Sequence, residues 1–318
     1  MSDLERKISI IEVSNINLHI RLDIFLSSKF PDRSRTFFQK LIKKECIFLN
    51  GNVCRTPKTS LNVGDRISVN WPEEKNYEIP QKEKFSFDIL YEDDDLIVID
   101  KPSGVVVHPA AGNWEGTVVN ALLGRDENFI ENFSDDLESL NMQRPGIVHR
   151  LDKDTSGCLI VAKNTLSRQR LSESFALRKV KKTYFALSCG NPSADSAEIC
   201  NLIGRHPVNR KKMAVVQRNG KEAITRYEVL KTGIIDNISL TLLKVNILTG
   251  RTHQIRVHLS DIKLPILGDS VYGGNQKIEA PRQMLHAGMI SFSHPSTGEN
   301  ISISSPYPKD FQYFLNLL

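Results

Sequence analysis

The stretch "GIVHRLDKDTSG", Gly146 to Gly157, crowds His149, Arg150, Asp152, Lys153 and Asp154 into six positions and then runs into the apolar "CLIVA" of residues 158–162. Two readings fit this pattern. In one it is a charged turn between two strands, with Asp154, Thr155 and Ser156 hydrogen-bonding their own backbone and Gly157 completing the turn. In the other, one of the carboxylates reacts. Local chemistry leaves both open.

Outward from this stretch, strands dominate from Phe85 onward. "FDILYEDDDLIVIDK" reads as two β-rich runs around an acidic turn, and "SGVVVHP" reads as the start of another strand. "TVVNALLG" and "TLSRQRLSESFALRK" have helical patterning, so a mixed sheet with flanking helices is expected. Upstream, "LHIRLDIFLSSKF" places Leu18, Leu22, Phe25 and Leu26 at helical spacing, and "SRTFFQKLIKK" repeats the pattern behind a possible Ser34 cap. "ECIFLNGNVC" alternates like a strand up to the hairpin pair Asn50-Gly51, and "VGDRISVNW" supplies another strand. Residues 73–84 are rich in proline and charge and read as a linker.

At 318 residues, 40% apolar and 25% charged, the chain has the composition of a globular protein with room for two domains. It contains no apolar run long enough to span a bilayer, and "MSDLERKISI" has charges where a secretory signal would be apolar, so a cytoplasmic protein without a membrane is expected. Cys46, Cys54, Cys158, Cys189 and Cys200 include no C-x-x-C pair and read as reduced thiols. The net charge of +5 permits a polyanionic partner. Between positions 15 and 45 seven basic residues, Arg21, Arg35, Lys40, Lys43 and Lys44 among them, face three acidic ones, whereas Asp126 to Glu138 holds six acidic residues and no basic one. The acidic piece is expected on a mobile loop away from nucleic acid.

Several enzyme classes are excluded. "HRLDKD" lacks the spacing and companion motifs of a kinase catalytic loop. His253 and His258 in "GRTHQIRVH" are five apart, about 140° around a helix, and do not form an i, i+4 metal pair. Asp152 and Asp154 are too close on one loop to flank a sugar as a glycosidase pair does.

The ordered set "DKPSGVVVHPAAGN", "HRLDKDTSG", "KTYFAL", "RHPVNRKKMAVV", "GRTHQIRVH", "LGDSVYGG" and "LHAGMISFSHP" resembles the RluA/RluD family of RNA pseudouridine synthases, most nearly the RluD type that modifies large-subunit (23S) ribosomal RNA. "RLDIFL…SR…LIKK…LNG…VGDRI" resembles the ribosomal-protein S4-like RNA-binding module, with Glu45 or Cys46 where that module usually carries glycine. The resemblance implies an α+β fold: a small N-terminal α/β S4-like domain over 15–72 and a catalytic domain over 85–318 built on a mixed, mainly antiparallel sheet with flanking helices. It implies an isomerase that needs no metal and no nucleotide or other cofactor, acting as a monomer on ribosomal RNA. By the same resemblance Asp152 is the reacting carboxylate, Tyr184 stacks on the base, and Arg251 is the cation that keeps a carboxylate withdrawn from water charged. Arg150 fills the gap left by a flipped-out uridine, or else pairs with Asp152 or Asp154; His149 is a neutral structural histidine. Arg21, Arg35, Lys40, Lys43, Lys44, Arg205, Arg210, Lys211 and Lys212 are the candidate phosphate contacts. A non-catalytic RNA-binding factor on the same scaffold is the competing class.

Overall fold

In a computed structural model the described residues are 8–14, 20–30, 35–71, 86–109, 113–126, 129–130, 132–133, 144–209, 212–273 and 278–318. They form two compact units, one up to Trp71 and one from Ser86 onward. The proposed linker, Ser34, Arg210, Lys211, the side chain of Lys40 and most of the acidic segment lie outside the described residues.

The first unit comprises β1 (Ile8–Glu12), α1 (Leu22–Lys29), α2 (Arg35–Lys43), β2 (Ile47–Leu49), β3 (Asn52–Val53) and β4 (Arg66–Asn70). Its antiparallel sheet has the order β1-β4-β2-β3. Leu22, Phe25, Leu26, Leu41 and Ile42 are buried at the helical spacing read from sequence, against Ile47, Ile67 and Val69 of the sheet. Each such side chain contributes about 1.5–3 kcal/mol of transfer free energy. β1 lies ahead of residue 15 and pairs with β4, so strand structure in this unit begins before the 15–72 span expected of the S4-like domain. Asn50 and Gly51 both have positive φ, as the expected two-residue hairpin requires. Glu45 itself adopts φ 61° at the turn after α2, doing without the glycine, and its carboxylate pairs with Arg55 at 2.9 Å.

The second unit is one large sheet. Its strands are β5 (Asp88–Glu92), β6 (Leu96–Lys101), β7 (Ser156–Ala162), β8 (Lys181–Cys189), β9 (Ser196–Arg205), β10 (Met213–Val215), β11 (Lys221–Ile235), β12 (Ile238–Ile247), β13 (Leu285–Ser293) and β14 (Asn300–Ser304). They are ordered β10-β9-β11-β12-β8-β13-β7-β6-β5, with β14 also on β13. Every pairing is antiparallel except β13 with β7. Helices α3 (Val118–Arg125), α4 (Thr165–Ala176), α5 (Gln254–Asp261) and α6 (Lys309–Leu317) flank it. "SGVVVHP" is not a strand: only Val106 makes an isolated bridge, to Thr117, because the segment turns back to meet the start of α3.

"CLIVA" is unbroken because both faces of β7 are covered. Leu159 and Val161 join a core with α3, α5 and α6, while Cys158, Ile160 and Ala162 join another with Leu171 of α4 and with Ile290 and Phe292 of β13. Among the described residues no helix is long and apolar enough to cross a membrane, and the five cysteines are free.

Candidate active site

Asp152 lies on the loop that enters β7, and that loop is fastened from several sides. A turn closes from Thr155 N–H to the Asp152 carbonyl at 3.1 Å. The fully buried Lys101, at the end of β6, donates to the carbonyls of Pro102 (2.7 Å), Val105 (2.8 Å) and Lys153 (2.9 Å). Burial pushes this ammonium down to about 7, against the raising influence of Asp154 and Asp152. Arg282 donates to the Asp154 carbonyl at 3.0 Å while its Nε and Nη2 grip Asp310. Thr155 and Ser156 do not bond their own backbone as the turn reading expected. Thr155 accepts from Gln283 Nε2 at 2.8 Å, and Ser156 meets His286 Nδ1 at 3.0 Å, tying the loop to β13 and to the residues that lead into it. Gly157 has φ 110°, and a Cβ there would come within 2.2 Å of the Ala287 carbonyl, so the parallel β7–β13 contact requires glycine.

The cation on Asp152 is Arg256, which corrects the expectation for Arg251. Arg256 Nη1 donates to Asp152 Oδ2 at 3.0 Å, and its Nε and Nη2 form a two-pronged contact with Asp269 at 2.7 and 3.0 Å. Burial works against the Arg256 charge, but Asp269 and then Asp152 more than offset it and hold the guanidinium charged. Arg251 precedes α5: its backbone N–H donates to Gln254 Oε1 and its Nε to the Glu222 carbonyl at 2.9 Å, so it lies along β11. The helix starts at Gln254, which is buried and bonded to Thr249, Ile224 and Thr225, and so Arg256 in the first turn is the arginine that faces the loop.

Asp152, Gln254 and Arg256 line a cavity of about 390 Å³ that also takes in Arg150, Lys182, Tyr184, Arg251 and His253. Asp152 is 19% exposed at its side chain and has the Arg256 bond as its one side-chain hydrogen bond among the described residues. Tyr184, on β8 opposite Val245, is buried in the cavity wall; burial first and Asp152 second push its hydroxyl up, so it remains a neutral phenol. Arg150 is exposed and pairs with neither Asp152 nor Asp154. His149 accepts from Ile160 N–H at 2.9 Å and stacks on Phe175 at 4.6 Å, a structural role; burial, then Lys182, lowers it to about 3.

The basic residues are not alike. Arg21 and Arg35 both donate to the buried carboxylate of Asp23, so much of their charge is already met. Lys43, Lys44 and Arg205 are exposed. Lys212 rests its ammonium over Tyr272 at 5.8 Å. Arg256, Asp269 and Tyr272 went unnoticed in sequence although "GRTHQIRVH" and "LGDSVYGG" contain them.

With this geometry in hand, the family described as RNA pseudouridylate synthase matches residues 95–261, and the S4 domain matches residues 20–67. Relatives include an uncharacterized RNA pseudouridine synthase of Aquifex aeolicus, 40% identical across 92% of each chain. Two others are named ribosomal large subunit pseudouridine synthase D. The Nitrosomonas europaea protein is 40% identical over 94% of this chain and 84% of its own, and the Escherichia coli protein 37% over 96% and 93%. Among solved structures, human RNA pseudouridylate synthase domain containing 1 superposes with a TM-score of 0.57 at 28% identity, over 70% of this chain and 83% of that one.

Proposed function

Because this chain belongs to the RNA pseudouridylate synthase family, whose members are isomerases, we propose that it converts uridines of large-subunit ribosomal RNA to pseudouridine with Asp152 as the reacting carboxylate. The observation that carries this reading is the contrast at Asp152: one oxygen is anchored by Arg256, and the carboxylate otherwise faces a cavity. The names of the relatives from N. europaea and E. coli supply the RNA class.

In the reaction the N1–C1′ bond breaks, the base turns, a C5–C1′ bond forms, the C5 proton leaves and N1 gains one. The base is isomerised with no net gain or loss of electrons. Asp152 assists at C1′ or C6, and the Arg256–Asp269 contact fixes its position without moving during the reaction. Tyr184 forms an aromatic wall for the base. The uridine is turned out of its stack at a cost of a few kcal/mol, with Arg150 at the mouth placed to occupy the gap. Arg251, which lines the cavity, serves as a phosphate contact, as do Lys212 and the exposed Arg205. Lys43 and Lys44 serve the S4 unit in the same way. A ribosomal RNA substrate supports a cytoplasmic location.

The test uses a large-subunit ribosomal RNA transcript tritiated at uridine C5. The wild-type protein releases tritium and Asp152→Asn does not. Release that persists in Asp152→Asn removes Asp152 from this role, and no release by the wild type on any ribosomal RNA removes the function.

A further inference from the structure

His253 sits at the start of α5 with φ 57° and ψ 22°, in the left-handed region that favours glycine or asparagine. A histidine kept in such a conformation beside a cavity calls for a reason in its side chain. Its ring lines the cavity that holds Asp152. Its Nδ1 lies 2.9 Å from the Tyr272 hydroxyl, and that same oxygen accepts from Met213 N–H at 2.8 Å. Nδ1 is the acceptor within reach of the Tyr272 hydroxyl proton. The arrangement that satisfies both donors is therefore Met213 N–H to Tyr272 oxygen, and Tyr272 O–H to His253 Nδ1. The ring proton of a neutral His253 then resides on Nε2. Among the described residues no group accepts from Nε2, and it is not sealed away from solvent, unlike the orphaned Nε2 of His258. Burial lowers the pKa of His253, against the raising influence of Asp152, so the neutral form is the one to consider.

Resting on the pseudouridine synthase reading, we infer that His253 Nε2–H donates a hydrogen bond to a carbonyl oxygen of the uracil while it is detached from the ribose, and that Tyr272 is a positioning residue that fixes the His253 tautomer. When the N1–C1′ bond breaks, its electron pair stays with the base and negative charge spreads onto the ring carbonyls. A preorganised donor aimed at that charge stabilises the detached state more than the bound nucleoside. Tyr272 is itself held in place: Arg256 Cζ lies 5.1 Å from its ring centroid, and Asp269 Oδ1 accepts the Tyr272 backbone N–H at 3.0 Å. The group that orients Asp152 and the group that orients His253 therefore share one cluster.

The test is single-turnover tritium release from the same C5-tritiated transcript, with RNA affinity measured in parallel. His253→Asn suits the left-handed backbone but is too short to place a donor where Nε2 lies. It is expected to slow release by on the order of 10²–10³-fold, as loss of one such donor does elsewhere, with affinity unchanged. His253→Gln, whose side-chain amide reaches further, should recover at least part of the rate. Tyr272→Phe keeps the ring under Arg256 and loses only the hydroxyl. A fall of roughly 10-fold is expected, together with a shift of the His253 ring signals in ¹⁵N-histidine spectra toward a tautomer mixture. A His253→Asn protein as fast as wild type, a His253→Gln protein no faster than His253→Asn, or a defect confined to RNA affinity would overturn the inference while leaving the function standing. A wild-type protein that releases no tritium defeats the function itself.

Discussion

Asp23 and Asp152 are both aspartates set against arginine, and the protein treats them in opposite ways. Asp23 is fully buried and, among the described residues, accepts four side-chain hydrogen bonds, two from Arg21, one from Arg35 and one from Gln39. Asp152 keeps partial exposure and takes a single bond from a guanidinium whose other nitrogens are committed to Asp269. A carboxylate whose acceptor sites are filled is structural. One that is held at a single point and opens on a cavity has capacity left for chemistry.

The sharpest way to break this comparison is at the guanidinium. Arg256→Met leaves Asp269 buried without its partner and should cost about 3–5 kcal/mol, as removal of one member of a buried pair does, and tritium release should vanish with it. Arg251→Met, whose side chain bonds a single carbonyl among the described residues, should cost under about 1 kcal/mol. Urea titration read beside the release assay separates the two; similar losses for both would erase the distinction between Arg256 and Arg251.

Next in size is Asp23→Asn, expected to lose about 2–3 kcal/mol, followed by Trp71 fluorescence in the full chain with Trp114→Phe. Burial raises the Asp23 pKa, but the bonds from Gln39, Arg35 and Arg21 outweigh it and hold the carboxyl below its ordinary value. Its stabilisation is thus complete above the unfolded value of about 4 and lost as pH falls through the lower folded one. Asp23→Asn should accordingly flatten the acid limb of the stability curve. The freed Arg21 and Arg35 should also make RNA binding more salt-dependent.

Much of this was legible in the sequence, and what was not has identifiable causes. The first-unit helices were readable because Leu22, Phe25, Leu26, Leu41 and Ile42 repeat at helical spacing and bury one face. α5 was not readable because residues 254–259 are buried all round, which leaves no amphipathic stripe. Without that helix start, "GRTHQIRVH" offers two arginines five apart and no means of choosing between them. His253 was set aside for lacking an i, i+4 partner, a criterion that tests for metal and is silent about a hydrogen bond to Tyr272, nineteen residues on. Nothing in the sequence marks Lys101 as buried, since its carbonyl acceptors, two in the stretch after it and one on the Asp152 loop, leave no pattern there.

Lys101 is expected to act on stability through pH. Its folded pKa, about 7, lies below the unfolded value near 10.4. The unfolded chain therefore binds more protons across that window, and this group makes stability rise with pH from about 7 to 10. Lys101→Met should remove that slope, and urea midpoints at several pH values would show it.

If Asp152 belongs to the chemistry and not to the framework, Asp152→Asn separates turnover from melting. With only one partly exposed hydrogen bond altered, the variant should melt within a few degrees of wild type, a loss of about 1 kcal/mol, and release no tritium above background. A variant that releases tritium at the wild-type rate would contradict the account.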